Sequence, residues 1–242
     1  MVQGASQSET ASADGRAADD VVAALEARIY SGDLAMGHPL PPERELVQAF
    51  GISRTVAREA VKILAGKGLV ETRPRFRPVV AQPSADRAFG VMDSVVRHLL
   101  NRPGGIKDLY DTRIFVERGL VRQAALDANR DDIANLRSAL ADNQAAIDQS
   151  ELFYATDAAF HAVLYGIPRN DIFPAVHRSF STWLSDHWTK MPSLPERNFR
   201  NFQAHTAIFE AILNRDPDLA ERHLLAHLND AWAQVSETFG AI

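Results

Sequence analysis

The chain has 242 residues, 46% of them hydrophobic, and a formal net charge of −5. That length exceeds the usual single domain and the apolar content supports well-buried cores, so two domains are expected. No apolar run approaches the length of a membrane span, and the absence of cysteine excludes disulfides and thiolate metal sites, which agrees with a cytoplasmic protein.

Residues 1–16, rich in Ser, Ala, Gly and Gln, lack the basic start and apolar centre of a secretory signal and read as a disordered tail. Asp19 to Tyr30 predicts a helix with Val22, Leu25 and Ile29 inward, ended by Ser31-Gly32. Leu40-Pro41-Pro42 then stops an extended segment and starts a second, short helix through Glu43, Arg44 and Glu45 to Phe50. Gly51 is the residue best able to turn the chain, and Ser53 caps a third helix with Val56, Ala60, Ile63 and Leu64 on its inner face. Gly68 to Arg73 predicts the first strand of a wing.

The outer face of the third helix carries Arg54, Arg58 and Lys62 four residues apart, with Thr55 beside Arg54. Residues 41–80 hold eight Arg or Lys (44, 54, 58, 62, 67, 73, 75, 77) against four Glu (43, 45, 59, 71), so the positive charge of an acidic chain is local. A lone repeat of this kind is usually only a solvated face. Here the proline start, glycine turn, serine cap, apolar stripe and following strand agree with one another, as the parts of a helix-turn-helix should. Such a module binds double-stranded DNA through phosphates, with a steep salt dependence.

Pro42-Glu43-Arg44-Glu45-Leu46, Phe50-Gly51-Ile52-Ser53-Arg54-Thr55, Val56-Ala57-Arg58-Glu59-Ala60 and Gly68-Leu69-Val70-Glu71 resemble the winged helix-turn-helix of the GntR family of bacterial transcription regulators. The resemblance implies operator contacts by Arg44, Arg54 and Arg58, a phosphate or base-edge contact by Thr55, and a DNA-facing segment running from Ser53 to Lys62. One departure concerns the wing, where relatives carry a tip glycine and this chain reads Arg73-Pro74-Arg75-Phe76-Arg77-Pro78. Neither Arg77 nor Pro78 supplies a positive φ cheaply, so a wider basic loop is expected, with Arg75 and Arg77 on phosphates or in the minor groove.

The DNA-binding domain is placed at residues 17–81, a linker at 82–85 around Pro83, and a second domain at 86–242. The second domain shows almost nothing but helical periodicity, broken at Pro103-Gly104-Gly105, Asn129-Arg130, Pro168-Arg169-Asn170, Pro192 to Pro195 and Asp216-Pro217. The fold class is therefore mainly α: a winged helix-turn-helix followed by an all-α antiparallel bundle of six or seven helices. Asn129 and Asp216 are expected N-caps, and Asn170 another.

Within the bundle, Asp157 and His161 lie at i and i+4 and project from one helix face, while His205 and His227 sit among apolar residues of two further helices. Each histidine alone is more often a core histidine bonded to a carbonyl. Together, one carboxylate and three neutral imidazoles suit a divalent ion, zinc first, with nickel, cobalt or manganese as alternatives. The set resembles the FCD ligand-binding domain of the FadR subgroup of GntR regulators, over about residues 86–238. That resemblance implies a metal site at Asp157, His161, His205 and His227 inside an effector cavity. Arg113, in a segment also similar to the family, would then hold the carboxylate of a small organic or sugar acid; the competing view is an Arg113–Glu117 surface pair. The remaining histidines, 38, 98, 177, 187 and 223, are expected at the surface or in packing. The expectation is a dimeric, ligand-responsive repressor acting on a pseudo-palindromic operator, and not an enzyme. A metal sensor and, with weaker support, a metal-dependent hydrolase are the alternatives.

Overall fold

The computed structural model describes residues 5–82, 84–188, 190–192 and 194–239. Along the chain run α1 (Ala5–Tyr30), α2 (Glu43–Phe50), α3 (Arg54–Gly66), β1 (Val70–Glu71), β2 (Val79–Val80), α4 (Ala85–Leu100), α5 (Gly105–Asp127), α6 (Arg130–Ala145), α7 (Ser150–Gly166), α8 (Phe173–Trp188), α9 (Pro195–Leu213) and α10 (Pro217–Phe239). They form two compact units, up to Val91 and from Met92 onward, so the division falls inside α4 and not at the Pro-containing linker predicted for residues 82–85. Arg87 on the first turn of α4 explains this, since it pairs with Glu71 of β1 at 2.8 Å and keeps that end of the helix with the first unit.

In the first unit, α1 and α2 both pack on α3. Leu25, Leu40, Leu46, Ala60, Leu64, Val70 and Val80 form its core; each leucine so buried stabilises the fold by roughly 1.5–3 kcal/mol. The first helix starts earlier than predicted. It reaches back to Ala5 into the segment read as a disordered tail, while residues 1–4 lie outside the described residues. Among the side chains described, from Asp14 onward, the first buried one is Ala18, and helix extension through an alanine-containing stretch costs little per residue once a nucleus exists.

The turn chemistry follows the sequence closely. Gly51 ends α2 in the left-handed conformation (φ 63°), and the Ser53 hydroxyl accepts a hydrogen bond from the Val56 N–H at 3.2 Å. The strands pair antiparallel, Val70 with Val80 and Glu71 with Val79, and the predicted first strand shrinks to two residues. At the wing tip the positive φ falls on Arg75 (69°), after Pro74, with the Phe76 N–H bonded to the Arg73 carbonyl at 3.1 Å. This is a β-turn with proline at its second position and a left-handed third residue, where glycine is normally preferred.

The second unit is an all-α bundle of α5 to α10 together with the part of α4 from Met92 onward, among the described residues. α10 lies on α5 and α9, and α6 on α7 and α9. Between them Val121, Leu136, Phe160, Leu164, Ile208, Ile212, Leu224 and Leu228 form the core. Asn129 caps α6 through a reciprocal box with Asp132. Asp216 accepts from the Leu219 N–H, and Asn170 from the N–H groups of Ile172 and Phe173. No described helix is long and apolar enough to cross a membrane.

Candidate functional sites: an outward cationic helix and a buried metal centre

On α3, burial of Val56, Ala57, Ala60 and Leu64 fixes the helix rotation and turns Arg54, Thr55, Arg58 and Lys62 outward. Arg44 on α2 and Arg75 at the wing tip are exposed as well. Arg58 is held by Glu43 of α2 at 2.8 Å, which presents its guanidinium in a fixed position and raises its pKa through that hydrogen bond and charge. Lys62 pairs loosely with Glu59 at 3.4 Å. Two predicted contacts are placed differently from the rest. The Ser53 hydroxyl is engaged as the cap, and Arg77 turns back to donate to the Leu40 carbonyl, where it pins the base of the wing to the segment before α2. Both wing arginines, Arg75 and Arg77, are nonetheless exposed.

The second unit brings Asp157, His161, His205 and His227 together, with one donor atom from each lying within 4.8 Å of all the others. α7 supplies Asp157 and His161 from successive turns, α9 supplies His205 and α10 supplies His227. The three imidazoles are buried, and Phe160 stacks on His205 with ring centroids 4.5 Å apart.

The surrounding hydrogen bonds decide where the imidazole protons sit. His161 Nδ1 donates to Glu117 Oε2 at 2.6 Å, and His205 Nδ1 donates to Asn143 Oδ1 at 2.9 Å, while the Asn143 amide donates onward to Thr156 at 3.0 Å. With Nδ1 so engaged, Nε2 is the ring nitrogen that His161 and His205 each turn towards the cluster. Each lies 3.2 Å from His227 Nε2, and His205 Nε2 lies 3.4 Å from Asp157 Oδ1. Three imidazole nitrogens and a carboxylate oxygen converging at that range form a donor set that fits a divalent ion of the zinc type. Burial, followed by neighbouring positive charge, lowers the pKa of both His205 and His227 well below the ordinary histidine value and keeps them in the neutral form that ligation needs. Burial pushes the Asp157 carboxyl up, against the opposing pull of His161 and Arg113.

Behind this cluster is a layer that sequence reasoning placed wrongly or missed. Arg113 Nε donates to Glu117 Oε1 at 2.6 Å, and the pair is sealed in the bundle with side chains 6% and 0% exposed. It is therefore not the surface pair considered from sequence, and Arg113 also lines the cavity beside the cluster. Burial alone would raise the Glu117 carboxyl. Arg113 and His161 outweigh that and hold it well below the usual carboxylate range, with the Tyr165 hydroxyl donating at 3.3 Å. Glu117 and Asn143 thus orient two of the three imidazoles. Glu117 stood four residues after Arg113, a visible helical pair, but only its burial shows its part; Asn143 carried no signal.

A cavity opens beside the cluster. Asp157, His227 and Arg113 line one side, and Tyr154, Arg197 and Trp188 are among the residues lining the rest.

Residues 17–80 match the family described as bacterial regulatory proteins, gntR family, and residues 108–230 match the FCD domain. The HTH-type transcriptional repressor NanR of Edwardsiella tarda is 39% identical over 211 residues, which are 86% of this chain and 81% of the relative. The protein of that name from Citrobacter rodentium is 40% identical over 220 residues, covering 90% and 83%. Among solved structures, Streptococcus agalactiae GntR superposes with a TM-score of 0.56 at 20% identity, covering 88% of this chain and 98% of that one. E. coli McbR/YncC gives 0.53 at 15%, covering 92% and 98%; these two establish the likeness of fold. On the strength of both matched segments and of relatives spanning most of its length, the chain belongs to the gntR family of bacterial regulatory proteins, with an FCD domain in its second unit.

Proposed function

We propose that this protein is a DNA-binding transcriptional repressor, active in the cytoplasm as a homodimer, whose grip on a pseudo-palindromic operator is set by a small organic or sugar acid bound at a divalent metal centre. The observation that carries the DNA assignment is the α3 surface, where the apolar face is buried and Arg54, Thr55 and Arg58 are left outward on a helix opened by a serine cap. Helix-turn-helix proteins direct the start of this helix to base edges. The relatives named as repressors give the sign of regulation. A second copy is favoured by α4, whose Met92, Val95 and Leu99 are 52%, 61% and 41% exposed and recur at the spacing of a single helix face.

Asp157, His161, His205 and His227 would hold the ion, zinc or another first-row divalent metal. Bound there, it would supply a Lewis-acidic position for the oxygen atoms of a ligand. The chain's own part is to fix two imidazoles through Glu117 and Asn143 and to line the adjoining cavity with cationic and hydroxyl groups. That cavity favours an organic effector over a sensor in which the ion alone is the signal, since a pure ion sensor has no use for a lined space beside its ligands. The effector acts only in so far as it binds two arrangements of the bundle unequally, one of them competent for DNA.

Fluorescence anisotropy on the DNA upstream of the gene, with protein loaded with zinc or stripped by chelator and with or without candidate acids, tests this scheme. Acid-dependent release that requires the ion is the expected result. Release on metal addition alone would assign the ion as the signal, and no binding to that DNA in any state would remove the repressor assignment.

A further inference from the structure

Phe76 is 75% exposed at the tip of the wing, between Arg75 and Arg77, which are exposed as well. A single apolar side chain in water is ordinary on a protein surface. Its setting distinguishes this one. Phe76 borders an apolar recess that Pro42, Leu46, Val61 and Pro78 also line, so the ring has cover within reach and is nevertheless left in solvent. Arg58 and Lys62 of α3 line the same recess, which puts Phe76 on the cationic side of the first unit, beside the helix assigned to DNA.

The backbone holds it there. Pro74 fixes one dihedral of the tip, the Phe76 N–H closes the turn on the Arg73 carbonyl at 3.1 Å, and Arg75 takes a left-handed φ of 69°. Strain of this kind persists only where the surrounding structure over-determines it, and it clusters at functional positions. Below the tip, the returning limb is gripped on both sides. Val79 and Val80 pair with β1, while the Leu40 N–H donates to the Pro78 carbonyl and the Val80 N–H to the His38 carbonyl, each at 2.8 Å. Arg77 adds its bond to the Leu40 carbonyl. A ring on so fixed a mount loses little freedom on meeting a partner.

Two guanidinium groups bracket the phenyl ring. The cations suit phosphate oxygens or the floor of a minor groove, whereas an apolar ring gains nothing from phosphate and suits the faces of stacked bases. Apolar wedges of this type part a base step and kink the duplex, and the cost is least where a pyrimidine is followed by a purine. We infer that Phe76 is a specificity-determining residue of the wing: its ring enters the minor groove beside the base pairs faced by α3 and wedges a base step there. The protein then selects operators by their deformability at that step as well as by the base edges that α3 meets. This rests on the DNA-binding assignment above and adds to it a residue and a second mode of reading.

The test is selection of binding sites from a random duplex pool by the full-length wild type and by Phe76→Ala, followed by anisotropy and circular-permutation bending assays on the duplex that the wild type selects. Wild-type sites should carry a TA, CA or TG step at a fixed distance from the half-site sequence, and Phe76→Ala should keep the half-site and lose the step. On the wild-type duplex Phe76→Ala should bind roughly 5–100-fold more weakly, the worth of one stacked ring. Its bend should be smaller and its salt dependence unchanged, because no charge is removed. Phe76→Leu should recover part of the affinity and of the bend, since aliphatic wedges also unstack a step. Equal affinity and bend for Phe76→Ala would overturn the inference and leave α3 as the reader of the operator. A loss of the same size on unselected duplex would also overturn it, by making Phe76 a general contact. Weaker binding with an undiminished bend would replace the wedge by packing against the sugars, again contrary to the inference. Failure of the wild type to enrich any sequence would remove the DNA-binding assignment and this inference together. Because the ring is exposed, the variants should melt with the wild type, and a joint fall in melting temperature and affinity would assign Phe76 to the fold instead.

Discussion

The cationic helix and the buried Asp–His cluster solve opposite problems with similar residue types. On α3, charge is kept in water and useful only when a duplex displaces that water; in the bundle, carboxylates, imidazoles and a guanidinium are withdrawn from water and must satisfy one another. The first site therefore tolerates loose pairing, as Lys62 and Glu59 show at 3.4 Å, whereas the second is bound at 2.6 Å from Arg113 to Glu117 and again from Glu117 to His161. Exposed charge is cheap to remove and buried charge is not, and the expected effects of substitution rank accordingly.

The largest effect is expected from Glu117→Ala, which leaves Arg113 buried without its partner. Urea denaturation should show a loss of about 3–5 kcal/mol, far beyond any single change on the cationic face of α3. A loss below about 1 kcal/mol would mean that water reaches the pair and that the two sites differ less than their burial implies.

Removing a ligand comes next. His205→Ala should reduce zinc affinity by more than the roughly 10–100-fold typical of a supporting residue, read by competition with a chromophoric chelator. Asn143→Ala should fall inside that range, since it only orients His205. Equal losses for the two would deny His205 its place as a ligand.

On the DNA side, Arg54→Ala should cost about 1–3 kcal/mol of operator affinity if it reaches a base edge, and leave zinc content and stability unchanged. Lys62→Ala should instead lower affinity modestly and lessen the salt dependence by about one counterion. An unaltered gel shift for Arg54→Ala would take the start of α3 out of the groove.

Smaller effects sharpen the comparison at its edges. Arg75 occupies a left-handed conformation, so Arg75→Gly should stabilise the free protein by up to about 1 kcal/mol while weakening DNA binding. A gain in both would show that the tip arginine is a structural accident. In the metal-stripped bundle, burial lowers the His177 pKa from 6.5 to about 4. Its neutral form is favoured by folding, so its contribution is complete above pH 6.5 and is lost as the pH falls towards 4, about 1 kcal/mol by pH 5.5. His177→Gln should flatten the stability profile by that amount between pH 7.5 and 5.5, and an unchanged slope would place His177 in contact with water.

The first unit was legible because each of its signals is local. Pro42, Gly51 and Ser53 act within a few residues of themselves, and the period of Val56, Ala60 and Leu64 fixes the outward face without knowledge of any other helix. The strand and the linker were less so: tertiary contacts shortened the strand to Val70–Glu71, and the Arg87–Glu71 pair carried the first unit past the proline into α4. The tail failed for a related reason, since helix extension from a packed nucleus at Ala18 does not need the apolar period that marks a helix start. In the bundle, spacing put Asp157 and His161 on one face, but gathering His205 and His227 beside them depends on how three helices pack, which only family resemblance supplied. The supporting layer stayed hidden. A glutamate four residues after an arginine has the same sequence signature on a wet face as in a dry core, and burial alone distinguishes them.

His161 and His227 meet through Nε2 atoms 3.2 Å apart although 66 residues of chain separate them. An ion shared by the two would act as a clasp across that span, and tying ends so distant in sequence removes disorder from the unfolded chain worth on the order of a few kcal/mol. Loss of such an ion would release both ends of that span together, so a metal-stripped second unit would be the more readily cut by protease.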